Sequence, residues 1–185
     1  EPLEAVLITR HLEYSLPYRA LFSGHGVPDL SNRLLDALAG MLVRLHLHNF
    51  FWGDCSLSNT LFRRDAGALA AYLVDAETAE HHSKLSDGMR RFDIDIAEEN
   101  IAGELLDIQA SGAEIDDPIE IARSLRRSYE ALWEELTGDW IFGADERYLI
   151  EKRLRRINEL GFDADEFELE SVPEGFRLRL NPHVV

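Results

Sequence analysis

The chain has 185 residues, with Lys+Arg 19 against Asp+Glu 35 and a net charge of −16; this suits one domain with a full core, alone or with a small appendage. The charge excludes a nucleic-acid partner, which needs a basic footprint, and opposes docking on an anionic membrane. No apolar run is long enough for a membrane span and the single Cys55 can form no internal disulfide, so a cytoplasmic setting is expected.

In chain order, Val6 to Thr9 is a short β-branched apolar run and reads as a strand. Leu12 to Phe22 is mixed and broken by Pro17, and Gly24 to Pro28 reads as a loop. Asp29 or Ser31 can cap a helix whose apolar positions are Leu34, Leu35, Leu38, Leu42 and Leu45, ending near His48 to Asn49. A loop carries Trp52 to Ser58. Asn59 to Phe62 and Ala70 to Val74 then read as a hairpin turning at Asp65-Ala66-Gly67. A helix is predicted from about Phe92 to Gln109, with Ile94, Ala97, Ile101, Leu105 and Ile108 inward and Ser111-Gly112 as its stop. Asp116-Asp117-Pro118 opens another, with Ile121, Leu125, Tyr129, Leu132 and Leu136 as its stripe and Gly138 at its end. A last helix spans about Asp145 to Leu160, and Glu166 to Leu180 reads as two strands around Pro173-Glu174-Gly175. The order is mainly α with a small β-hairpin element, not an alternating βαβ sheet.

The segment with chemistry in it is Gly53-Asp54-Cys55-Ser56-Leu57-Ser58-Asn59, followed by Val74-Asp75. A carboxylate can take a proton from an attacking hydroxyl, while an amide oxygen and a second carboxylate are hard donors suited to Mg²⁺ beside phosphates. An Asp-x4-Asn pair alone is weak, because Asx residues crowd ordinary turns. The preceding helix, Gly53, the hairpin and Val74-Asp75 together make it stronger.

Leu45-His46, Phe51-Trp52-Gly53-Asp54, Asn59-Thr60-Leu61-Phe62 and Leu73-Val74-Asp75-Ala76-Glu77 resemble the C-terminal lobe of the protein-kinase-like superfamily. The bacterial lipopolysaccharide (Kdo/heptose) kinases and aminoglycoside phosphotransferases are the nearest in pattern. The arrangement is also similar to an uncharacterised bacterial family that joins such a lobe to a C-terminal domain of unknown function. The resemblance implies an α+β kinase-like lobe over residues 1–140 and a small α/β appendage over 141–185. It implies ATP and Mg²⁺ as cofactors, Asp54 as catalytic base and Asn59 and Asp75 as metal ligands. Leu12, Glu13 and Tyr14 would form the nucleotide hinge, Glu77 and Ser56 auxiliaries, His46 a loop-positioning group and Asp95 a structural brace from the following helix. The partners implied are the nucleotide and a hydroxyl-bearing acceptor that the sequence does not identify.

Three departures stand out. Trp52 occupies the place where His is usual, and Ser56 the place where relatives often carry Lys or His. No Gly-rich loop precedes the hinge, and the only lysines, Lys84 and Lys152, lie downstream of Asp75. The expectation is a fragment lacking its N-terminal lobe and inactive by itself, with a pseudokinase-type binding module as the alternative. Apolar side chains near Val6 to Leu12 and Leu61 to Leu73 would face the missing lobe, where a homodimer could cover them. Cys55 reads as a small buried side chain, and the histidines match no zinc spacing. Trp133, Trp140 and Phe142 read as core, and the Arg123, Arg126, Arg127 and Arg153, Arg155, Arg156 groups as partners for the many carboxylates.

Overall fold

A computed structural model describes residues 11–22, 30–65, 68–159, 162–163 and 167–181. The expected strand at Val6 to Thr9 lies outside these residues. The fold is α+β, mainly helical with small antiparallel sheets.

The described chain opens with a turn through Glu13 and Tyr14, the two-residue strand β1 (Leu16–Pro17) and the short helix α1 (Tyr18–Phe22). Helix α2 (Leu30–Leu47) buries Leu34, Leu35, Leu38, Ala39, Leu42, Val43 and His46, one stripe at helical spacing. Asn49, with φ of 58°, takes the left-handed conformation that turns the chain out of the helix. Strand β2 (Phe50–Phe51) then leads into the Trp52 loop.

The hairpin is longer than its sequence pattern suggested. Strand β3 (Thr60–Asp65) pairs with β4 (Ala68–Leu73), and β1 adds to the other edge of β3. Its inner side is packed: Phe62 is buried, and Leu69, Ala71 and Leu73 rest on the core. Among the described residues of the two stretches expected to expose apolar side chains, Leu12, Leu61, Leu69, Tyr72 and Leu73 are half-buried rather than exposed. The exposed large hydrophobic side chains nearby, Tyr14, Leu16 and Val74, lie just outside those stretches. A second strand pair, β2 with β5 (Glu80–His81), had no sequence signal.

Helix α3 (Asp87–Ala110) starts five residues before the expected Phe92, because the Ser86 side chain caps it by accepting the Met89 N–H. Helix α4 (Pro118–Thr137) begins as expected, with Asp117 accepting from Ile119 and Glu120. Helices α2, α3 and α4 share one core built on Leu38, Leu42, Ile94, Ile101, Leu105, Leu125 and Leu136.

The C-terminal part is strand β6 (Trp140–Phe142), helix α5 (Arg147–Glu159) and strands β7 (Phe167–Val172) and β8 (Gly175–Leu180). The sheet order is β6-β8-β7, so a third strand joins the expected tail hairpin. A division between residues 140 and 141 would cut β6, whose Trp140 pairs with Leu178. Nor is this part separate from the main core, since Ile157 and Phe162 are buried within it. Gly175 has no room for a side chain: a Cβ there would lie 2.0 Å from the Phe142 carbonyl oxygen, and its φ is 141°.

Candidate functional site

The loop from Trp52 to Asn59 is held on several sides. Trp52 is fully buried, and its indole N–H donates to the Asp75 carbonyl oxygen at 2.9 Å. The Thr78 hydroxyl donates to the Trp52 carbonyl oxygen at 2.9 Å. Gly53 turns the chain with a φ of 79°, where a Cβ would press on Phe51 and the Thr78 carbonyl oxygen at 3.0 and 3.1 Å.

Asp54 is exposed on this loop. Asn59 Nδ2 donates to Asp54 Oδ2 at 2.9 Å, and Asn100 Nδ2 to Asp54 Oδ1 at 3.3 Å. The same Asn100 amide donates to the Cys55 carbonyl oxygen at 3.0 Å. Asn59 therefore spends its N–H₂ on Asp54 and keeps its side-chain oxygen as the donor atom available to a cation.

Asp75 comes alongside by strand register. Thr60 pairs with Leu73, and the Val74 N–H donates to the Asn59 carbonyl oxygen at 3.0 Å. The ladder thus extends one step past both strands, placing Asp75 one residue beyond the partner of Asn59. Asp75 Oδ1 accepts the Glu77 N–H at 3.0 Å, and the Glu77 side chain stays exposed. Asn59 and Asp75 offer one amide and one carboxylate oxygen set, the hard donors that fit Mg²⁺. Among the described residues no three His, Cys, Asp or Glu side chains form a metal cluster, so phosphate oxygens and water would have to complete such a site.

The other predicted residues fall as follows. Ser56 is buried, and its hydroxyl accepts the Asn59 N–H at 3.2 Å, which makes it a loop former. Leu12, Glu13 and Tyr14 lie in the turn before β1. Leu16 pairs with Phe62 and Pro17 with Leu61, so this turn lies toward the Arg63 and Arg64 end of β3, away from Asn59.

The brace needs correction. Asp95 is exposed and ion-paired to Arg126, Nη2 to Oδ1 at 2.6 Å, and Arg126 Nε also reaches Glu98 at 2.7 Å. The carboxylate under the loop is Asp93, fully buried. It accepts the Trp52 N–H on Oδ2 and the Gly53 N–H on Oδ1, both at 2.8 Å. His46 Nε2 stands 3.0 Å from Asp93 Oδ2. Farther along the same face of α3, Glu104 accepts the Leu57 N–H at 2.8 Å and the Ser58 N–H at 2.9 Å, and it also bonds the Ser58 hydroxyl. Asp93, Asn100 and Glu104 escaped the sequence reading. Their spacing of seven and four residues is helical and in phase with the apolar stripe, which is the signal that could have found them.

Burial is the main cause that pushes the Cys55 thiol well above its ordinary range, and the carboxylates of Asp93, Glu104 and Asp54 add to it. Cys55 is therefore a protonated, buried packing group rather than a nucleophile. Burial also pushes the Tyr129 hydroxyl up to about 12, against the opposing pull of Arg90.

A family model described as a domain of unknown function (DUF4032) matches residues 131–185, from the end of α4 through the C-terminal sheet. Among solved structures, WaaP in complex with acyl carrier protein is similar at 17% identity and a TM-score of 0.48, over 81% of this chain and 59% of that chain. The chain thus spans less than two thirds of that structure's length. No curated protein matches it. Among the described residues no helix is long and apolar enough to cross a membrane.

Proposed function

We propose that this chain is the catalytic lobe of a kinase-like phosphotransferase that moves a phosphoryl group from ATP to a hydroxyl of a sugar, lipid, small metabolite or protein. One observation carries the reading: Asp54, Asn59 and Asp75 lie on one rigid loop and the adjoining end of one β-ladder, with Asn59 bonded to Asp54. The sequence resemblance to lipopolysaccharide kinases and aminoglycoside phosphotransferases, carried in part by the same residues, supports it.

In this reading Asp54 receives the acceptor's proton. Asn59 aligns Asp54 through its N–H₂ and presents its own oxygen outward. The Asp75 carboxylate and the Asn59 oxygen would hold Mg²⁺, which when bound offsets the charge of the phosphate oxygens. Asp93 and Glu104 keep the loop from moving, and positioning is most of what phosphoryl transfer asks of a protein. The second half of the nucleotide clamp, including the strand lysine, would come from chain outside this sequence, so the isolated chain is expected to show no turnover.

A longer protein that contains this chain is the material for the test. ATP-dependent phosphoryl transfer, followed with radiolabelled γ-phosphate, should fall at least about a hundredfold in Asp54→Ala and in Asp75→Ala. Equal rates in both variants would remove the proposal.

A second reading, a nucleotide-binding module without catalysis, is favoured by one specific observation. Both Asp54 oxygens already accept amide N–H groups, from Asn59 and Asn100. That reading expects ATP to raise the melting temperature of the longer protein in the presence of Mg²⁺ with no transfer to any acceptor.

A further inference from the structure

Behind the loop, four side chains from three helices form one line of hydrogen bonds. Arg90 Nη1, in the first turns of α3, stands 3.0 Å from the Tyr129 hydroxyl on α4. That hydroxyl stands 2.7 Å from His46 Nδ1 at the end of α2. His46 Nε2 stands 3.0 Å from Asp93 Oδ2, and Asp93 carries the Trp52 and Gly53 amides. His46 and Asp93 are both buried, and so is Tyr129.

The polarity of this line follows from what each group can donate. A guanidinium has no acceptor, so Arg90 donates and the Tyr129 oxygen accepts. The Tyr129 hydrogen then needs an acceptor of its own. Among the described residues His46 Nδ1 is the acceptor at hydrogen-bond distance. With its pKa raised by burial, the hydroxyl keeps that hydrogen to give. A ring nitrogen that accepts carries no proton, so the His46 proton sits on Nε2 and points at Asp93. The opposite tautomer would set two hydrogens face to face at Tyr129 and a lone pair against a carboxylate at Asp93.

We propose that Tyr129, backed by Arg90, is a positioning residue for the Trp52–Asn59 loop, because it fixes His46 as the Nε2–H tautomer and so completes the donor set around Asp93. For turnover this rests on the phosphotransferase reading; for the tautomer it stands apart from it. The Tyr129 ring is held independently of its hydroxyl, stacked on Trp133 at 5.9 Å between centroids. The Arg90 guanidinium lies 3.8 Å from the Trp133 ring centroid. Tyr129→Phe should therefore keep the packing and remove only the hydrogen bonds.

The experiment uses the 185-residue chain with ¹⁵N-labelled imidazoles at neutral pH, read by long-range proton–nitrogen correlation. His46 should show a protonated Nε2 and an unprotonated Nδ1. Tyr129→Phe should mix the tautomers and shift the Trp52 and Gly53 amide resonances. A protonated Nδ1 in the unaltered chain overturns the proposal, as does a Tyr129→Phe chain whose two loop amides do not move. In the longer protein Tyr129→Phe should lower kcat about tenfold with the KM for ATP unchanged, and an unchanged kcat overturns the positioning role. An unaltered longer protein without phosphoryl transfer defeats the proposed function alone, because the spectra still decide the tautomer.

Discussion

Asp93 and Asp95 stand two residues apart on one helix and do different work. A separation of two residues turns an α-helix by about 200°. Asp93 therefore joins Ala97, Asn100, Ile101 and Glu104 on the side that faces the loop, while Asp95 faces solvent beside Arg126. Asp93→Asn should cost about 2–3 kcal/mol, since an amide cannot accept all the N–H groups that the carboxylate accepts. Asp95→Asn should cost less than about 1 kcal/mol, as an exposed ion pair does. Urea denaturation of both variants checks this, and equal losses would return the brace to Asp95. The loop and strand end that carry Asp54, Asn59 and Asp75 were legible because the helix before them and the hairpin after them have clear sequence patterns. The brace was not, because Asp93-Ile94-Asp95-Ile96 offers two carboxylates. Likeness to an Asp-Leu-Ala pattern selects Asp95-Ile96-Ala97, and only helical phase selects Asp93.

Elements with a strong period could be read, and those without one could not. Helix α2 follows its leucine stripe closely, and α4 follows both its stripe and its caps. The two-residue strands β1, β2 and β5 have no pattern of their own and exist because a partner lies beside them. Strand β6 is three residues of apolar sequence, Trp140-Ile141-Phe142, which read as packing without a strand signal. The start of α3 was legible in principle: Ser86 followed by Asp87 is a capping residue with an acid in the first turn. The polar run with Gly88 concealed it. Those early turns matter, because they bring Arg90 to Tyr129. Ser86→Ala should cost about 1 kcal/mol, and amide exchange at residues 89–91 should quicken while that of α4 stays slow. Unchanged exchange there would mean that packing by Arg90, rather than the cap, holds the first turns.

Over the whole molecule, the question is whether the part matched by the domain of unknown function stands apart from the part with the candidate site. The match begins inside α4 at residue 131, and α4 also carries Tyr129, Leu125 and Ala122 in the common core. Phe162 is 2% exposed and belongs to that core, where the Arg44 guanidinium lies 4.0 Å from its ring centroid. Arg153 on α5 donates to the Glu135 carbonyl oxygen of α4 at 2.6 Å. Helix α5 and the segment at Phe162 therefore pack on the α2–α4 pair that supports His46. Phe162→Ala should cost about 3–5 kcal/mol, the range for emptying a packed aromatic site. Chain ended after residue 139 would lose Ile157 as well, exposing a contiguous apolar face. It should then bind the dye ANS, melt without a sharp transition and broaden the His46 and Trp52 resonances. If instead the shortened chain melts cooperatively at the temperature of the full one, the two parts are separate folding units. The candidate site would then owe nothing to α5 and the sheet that follows it.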